Sequence, residues 1–82
     1  LLCIDLQNCG MTSAKLTALN GHPLTTEINL ERNFLRTLDE LDLSTLPQLK
    51  EIALDGNAIS DFSMFDGTAI TVYGQDWQNT AY

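Results

Sequence analysis

The chain has 82 residues and a formal net charge of -7, from eleven acids against four bases, with a single histidine. That length leaves room for one modest hydrophobic core at most, and the acidic balance argues against nucleic acid or an anionic membrane surface as partner, since both recruit Lys/Arg clusters. No apolar run approaches a membrane span and no secretory leader pattern is present, while one histidine leaves little room for His-based catalysis.

The residues from Leu1 to Met11 open with an alternation in which Ile4 and Leu6 are flanked by polar side chains, the period of a half-buried strand. The pattern is already running at Leu1, so the sequence reads as a piece of something longer. Cys3 and Cys9 lie six residues apart along this stretch. At about 3.3 Å per extended residue their Cα atoms are expected beyond the roughly 7 Å limit for a disulfide, which predicts two free thiols. "TSAKLTALNGHPL" predicts a short helix capped by Ser13, with Leu16 and Leu19 apolar and a stop at Gly21 before Pro23. Ile28 and Leu30 predict a second strand. "RTLDELDLSTLPQL" predicts turns or a 3-10-like path with Leu38, Leu41, Leu43 and Leu46 turned inward. Ile52 and Leu54 predict a third strand, and "SDFSMFDGTA" a shorter return in which Phe62 and Phe65 fill the core. Ile70 and Val72 repeat the alternation once more.

These segments form a register. Cys9 to Asn33 is 24 residues, and Asn33 to Asn57 is 24 again. Around each slot the pattern L-x-x-L-x-L-x-x-N/C-x-L is filled by Leu1, Ile4, Leu6, Cys9 and Met11, then Thr25, Ile28, Leu30, Asn33 and Leu35, then Leu49, Ile52, Leu54, Asn57 and Ile59. Thr25 is the departure, and Leu24 beside it is expected to take the apolar role. The pattern resembles the leucine-rich repeat family, whose period is about 20–29 residues. The resemblance implies an α/β fold: a right-handed solenoid of about three and a half repeats, with short parallel strands on the concave face. The repeats fall near 1–24, 25–48 and 49–66, with a degenerate terminal repeat or cap at 67–82. Gln75 is placed in the Asn slot of that last unit and Trp77 in the apolar position after it. Cys9, Asn33, Asn57 and Gln75 are then expected to form an internal ladder, because a chain that turns inward after each strand buries backbone groups that need partners. "ISDFSMF" followed by "ITVYGQDW" is also similar to the ends of internalin-like bacterial surface arrays, without the proline those arrays carry after the serine.

In that family the residues flanking the inward strand positions line the concave surface. The resemblance therefore places Asp5, Gln7, Asn8, Asn29, Glu31, Arg32, Ala53, Asp55, Gly56 and Tyr73 there, with Glu27 and Glu51 at the strand entrance. Gln7, Glu31 and Asp55 fall in one column and Glu27 and Glu51 in another, and like charges on neighbouring strands cost stability. Asp5, Gln7, Asn29, Glu31, Arg32, Glu51, Asp55 and Tyr73 are thus the candidate partner-binding residues, against the plain alternative that they are ordinary solvated charges. Asp39, Glu40 and Asp42 read as solvation of the convex side. Trp77 reads more readily as a cap over the end of the core than as a ligand contact. No phosphate loop, metal spacing or nucleophile arrangement is present, so no catalytic residue, metal or cofactor is expected.

The expected function is a non-catalytic protein-protein interaction module in a bacterial surface or secreted adhesion or host-interaction protein. Its partner would be a protein or peptide of basic character, with self-association through the exposed solenoid end, where Leu1, Ile4 and Leu6 would leave core uncovered. Two alternatives stay open: an intracellular leucine-rich repeat regulatory scaffold in the cytoplasm, and a structural spacer or cap attached to an enzyme domain.

Overall fold

A computed structural model describes residues 2–79. Four three-residue strands, Cys3–Asp5 (β1), Glu27–Asn29 (β2), Glu51–Ala53 (β3) and Thr71–Tyr73 (β4), pair side by side in chain order. All three pairings are parallel, in a register that aligns Ile4, Ile28, Ile52 and Val72. The first two steps are 24 residues and the last is 20. One sheet face is therefore a column of β-branched side chains, which pack well on a pleated surface. Ile28 and Ile52 are almost wholly buried in it. The coarse architecture is that of a small α/β chain built on a parallel sheet.

Parallel neighbours require a return path over one face of the sheet. Here the helical parts of the returns are 3-10, at Ser13–Leu19, Leu43–Thr45 and Ser63–Phe65. A 3-10 turn repeats every three residues and eclipses positions i and i+3. That period places Leu16 above Leu19 in the first return, both buried. In the second return the apparently irregular leucines resolve into Leu38–Leu41 and Leu43–Leu46–Leu49. Each spacing of three is matched by a backbone bond, Leu41 to Leu38, Leu46 to Leu43 and Leu49 to Leu46. Phe65 to Phe62 and Thr68 to Phe65 continue the same period in the third return. Phe65 is buried, and Phe62 and Met64 pack against the core from its margin.

Several expectations are corrected. Ser13 does not cap its helix: Thr12 holds the N-cap position without a side-chain bond. The Ser13 hydroxyl instead accepts the amides of Arg36 (2.8 Å) and Thr37 (3.1 Å) in the next return. Thr25, not Leu24, takes the inward slot. Thr25 is 0% exposed and Leu24 66%, because position in the register, three residues before Ile28, decides which side chain points in. At the β1 edge of the sheet Ile4 is buried in the core, Leu6 half-buried and Leu2 exposed. Leu1 lies outside the described residues.

Candidate functional site

The turns after the strands are held by side-chain amides. Asn33 Oδ1 accepts the amides of Cys9 and Met11 (both 3.0 Å), and its Nδ2 donates to the carbonyls of Leu6 and Leu30. One repeat on, Asn57 accepts from Leu35 N and donates to Leu30 O and Leu54 O. Both side chains are buried, so each satisfies backbone groups that water does not reach. Cys9, at the end of the stack, is exposed; its amide donates to Asn33 Oδ1 and its thiol to Gln7 O (3.4 Å), the counterpart of the Asn33 bond to Glu31 O.

The fourth unit is built differently from the expectation. Gln75 is exposed and makes no ladder bond among those of the described residues. Gln78 does: its Oε1 accepts Ile59 N (2.9 Å), and its Nε2 donates to Leu54 O (2.6 Å) and Gly74 O (2.9 Å). The reason lies in Gly74, Gln75 and Asp76, which form a turn closed by Trp77 N to Gly74 O (3.0 Å). From Ala53 to Asp55 is two residues, whereas from Tyr73 to Trp77 is four. The extra length displaces the register, and the longer glutamine side chain regains the ladder. Asn20 plays a similar part between returns, accepting Asp42 N and donating to Glu40 O.

That insertion also moves Trp77. The amides of Asn8, Arg32 and Gly56 donate to the carbonyls of Glu31, Asp55 and Trp77 in turn. Trp77 therefore continues the Glu31–Asp55 series into the last unit, beyond β4. It is 73% exposed and does not cap the core, contrary to the sequence expectation. Asn8, Arg32 and Gly56 all have positive φ, at 55°, 58° and 72°, so the turn uses the left-handed region in three successive repeats. Gly74 lies directly on Asp55; a Cβ there would overlap the Asp55 carboxylate and amide. Asp55 Oδ1 is consequently buried, without a hydrogen-bond partner.

The outward face carries two further columns, Cys3–Glu27–Glu51–Thr71 and Asp5–Asn29–Ala53–Tyr73. Glu27 and Glu51 are directly opposed. The Tyr73 hydroxyl reaches past the small Ala53 to donate to Glu51 Oε1 (2.8 Å). That bond, and then the Glu51 charge, hold the phenol above its ordinary titration range. Partial desolvation, followed by the charges of Glu27 and Asp5, raises the Cys3 thiol. Cys3 is therefore a thiol at neutral pH, not an activated thiolate. Asp5 is occupied locally, its carboxylate accepting Gln7 N and Gln7 Nε2, and Asn29 Oδ1 likewise accepts Glu31 N. Glu31, Arg32, Asp55, Gly56 and Trp77 line a surface cleft of about 330 Å³. A smaller cleft of about 160 Å³ lies on the return side, with Arg36, Asp39, Ser60 and Asp61 on its walls. There Ser63 donates to Asp61 from its hydroxyl and its amide, which lowers the carboxyl pKa.

Of the residues selected from sequence, the structure brings Glu31, Arg32 and Asp55 into one cleft and joins Glu51 to Tyr73. Asp5, at the end of β1, and Gln7, in the turn after it, sit apart, bonded to each other. Trp77 is the addition, and no sequence spacing signals its outward position. Among the described residues, no group of three or more His, Cys, Asp or Glu is placed to hold a metal ion, and no helix is long and apolar enough to cross a membrane. No family model, curated protein or solved structure matches the chain.

Proposed function

We propose that this chain is a leucine-rich repeat segment, a short right-handed solenoid whose outward sheet face is a non-catalytic binding surface for a basic protein or peptide. The single observation that carries the reading is charge stacking in register: Glu27 stands opposite Glu51 on adjacent strands. The sequence devotes rigid, cross-bonded backbone to displaying these acids, and opposed like charges are destabilising unless a partner brings positive charge to them. The two equal 24-residue steps and the buried Asn33 and Asn57 amides support the solenoid. A bacterial surface or secreted adhesion protein is the setting that the internalin-like segment suggests. The exposed free thiols of Cys3 and Cys9 favour a second reading, an intracellular regulatory scaffold with the same binding face.

The test of the binding face is calorimetric titration with arginine-rich, neutral and acidic peptides of equal length, at low and high salt. Binding of the basic peptide alone, weakening with salt and lost in Glu27→Lys/Glu31→Lys, is the expected result. Equal binding of all three peptides, or none of the basic one, rejects the proposal. Protease treatment of intact cells distinguishes the two settings, since only a surface segment is cleaved before lysis.

A further inference from the structure

We infer that the cleft beside Trp77 receives a single cationic side chain, Lys or Arg, from a basic peptide lying along the sheet. This deepens the binding reading above and rests on it. Trp77 is fixed through its backbone, its amide donating to Gly74 O and its carbonyl accepting Gly56 N (2.7 Å). The indole itself is left 73% exposed, outside the core. A large aromatic surface is thus presented to solvent by a well-anchored backbone. Glu31 and Asp55 line the cleft beside it, with Arg32 and Gly56.

This combination selects a cation with an apolar stem. The ring face attracts a guanidinium or ammonium group electrostatically and covers the methylenes behind it. The carboxylates supply the opposite charge: Arg guanidinium pairs with a free carboxylate such as Glu31 in bidentate geometry, while Asp55, with Oδ1 buried, adds charge through its other oxygen. The volume of about 330 Å³ sits at the lower end of the roughly 300–1,000 Å³ typical of small-molecule sites, a size suited to one side chain. Arg32 also lines the cleft and is the feature that would attract an anion. Two carboxylates against one guanidinium leave the cleft net negative, and the adjoining column adds Glu27 and Glu51. Charge complementarity therefore favours the cation. Arg32 forms a wall: its stem runs beside Gly56, where an added Cβ would stand 3.3 Å from Arg32 Cγ.

Trp77 is the sole tryptophan, so its fluorescence reports on this cleft alone, while calorimetry reports on the whole face. The experiment titrates the 82-residue chain with an arginine-containing basic peptide and with the same peptide carrying citrulline, which keeps the shape of arginine and removes its charge. The expected result is a saturable change in Trp77 emission with the arginine peptide and at least about tenfold weaker binding of the citrulline peptide. Trp77→Leu, which keeps apolar surface without the ring, should weaken calorimetric binding about fivefold or more, and Glu31→Gln should weaken it too. If the arginine peptide binds by calorimetry while emission stays constant and Trp77→Leu binds as well as the parent, the cleft assignment falls and the acidic face stands. If the citrulline peptide binds equally, the choice of a cation is wrong. If the arginine peptide binds on neither readout, the cleft and the face fall together.

Discussion

The two middle repeats and the terminal unit solve the same problem with different side chains. In the middle repeats, Asn33 and Asn57 close the turn at a constant spacing and are almost wholly buried. In the terminal unit the turn at Gly74–Asp76 lengthens the path, Gln78 reaches back in place of an asparagine, and Trp77 emerges beside Asp55. The comparison separates two kinds of constraint. Where the chain repeats, buried backbone leaves each slot one chemical solution. Where it departs, the ladder is kept by a longer amide, and the departure itself supplies a side chain for the outward face.

The largest effect is expected from removing an interior ladder member. Asn57→Ala deletes donors to Leu30 O and Leu54 O and the acceptor for Leu35 N. Leaving buried groups unsatisfied costs about 1–3 kcal/mol each, so a loss of about 3 kcal/mol is expected in chemical denaturation; an unchanged midpoint would remove the amide ladder as the reason for these asparagines. Gly74→Ala comes next. Its added Cβ meets Asp55 while φ stays at 86°, and a loss of about 2 kcal/mol is expected, as for other strained backbone positions. A neutral outcome in thermal melting would mean that the terminal turn does not rest on β3.

The terminal amide sharpens the comparison further. Gln78→Ala should cost about 1 kcal/mol, less than Asn57→Ala because Gln78 is only half-buried, whereas Gln75→Ala should stay within about 0.5 kcal/mol. Reversal of that order in denaturant midpoints would restore Gln75 to the ladder. The smallest effect concerns Tyr73. Its neutral phenol donates to Glu51, whose charge also opposes ionisation, so the hydrogen bond persists below the raised pKa and is lost as pH rises through it. In a Tyr82→Phe background, ultraviolet titration of Glu51→Gln should show Tyr73 ionising at lower pH than in the parent. No downward movement would dissociate Tyr73 from Glu51.

Much of this arrangement is legible before any coordinates. Ile28 and Leu30 alternate with polar neighbours, and the equal spacing of Cys9, Asn33 and Asn57 sets the register that the strands follow. The period of the returns is also present, as Leu43, Leu46 and Leu49, but it looks irregular beside the 3.6-residue period of an α-helix. Thr25 misleads because hydropathy favours Leu24, while burial follows register. Gln75 misleads for a related reason. Taking Ile70 and Val72 as the counterparts of Ile52 and Leu54 puts Gln75 in the slot, but the strand register pairs Val72, not Ile70, with Ile52, and the Gly74–Asp76 turn then carries the ladder on to Gln78. Trp77 then leaves the apolar position that the same counting assigns to it. Two adjacent errors thus share their causes: a strand register two residues later than the apolar alternation suggests, and a longer turn whose compensation depends on side-chain length.

The outward placement of Trp77 can be measured most directly by fluorescence quenching of the free chain. The account predicts emission close to that of indole in water, with a cationic quencher more effective than an anionic one because Glu31 and Asp55 stand alongside. Blue-shifted emission shielded from both quenchers would contradict it, returning Trp77 to the core and removing the aromatic wall from the cleft.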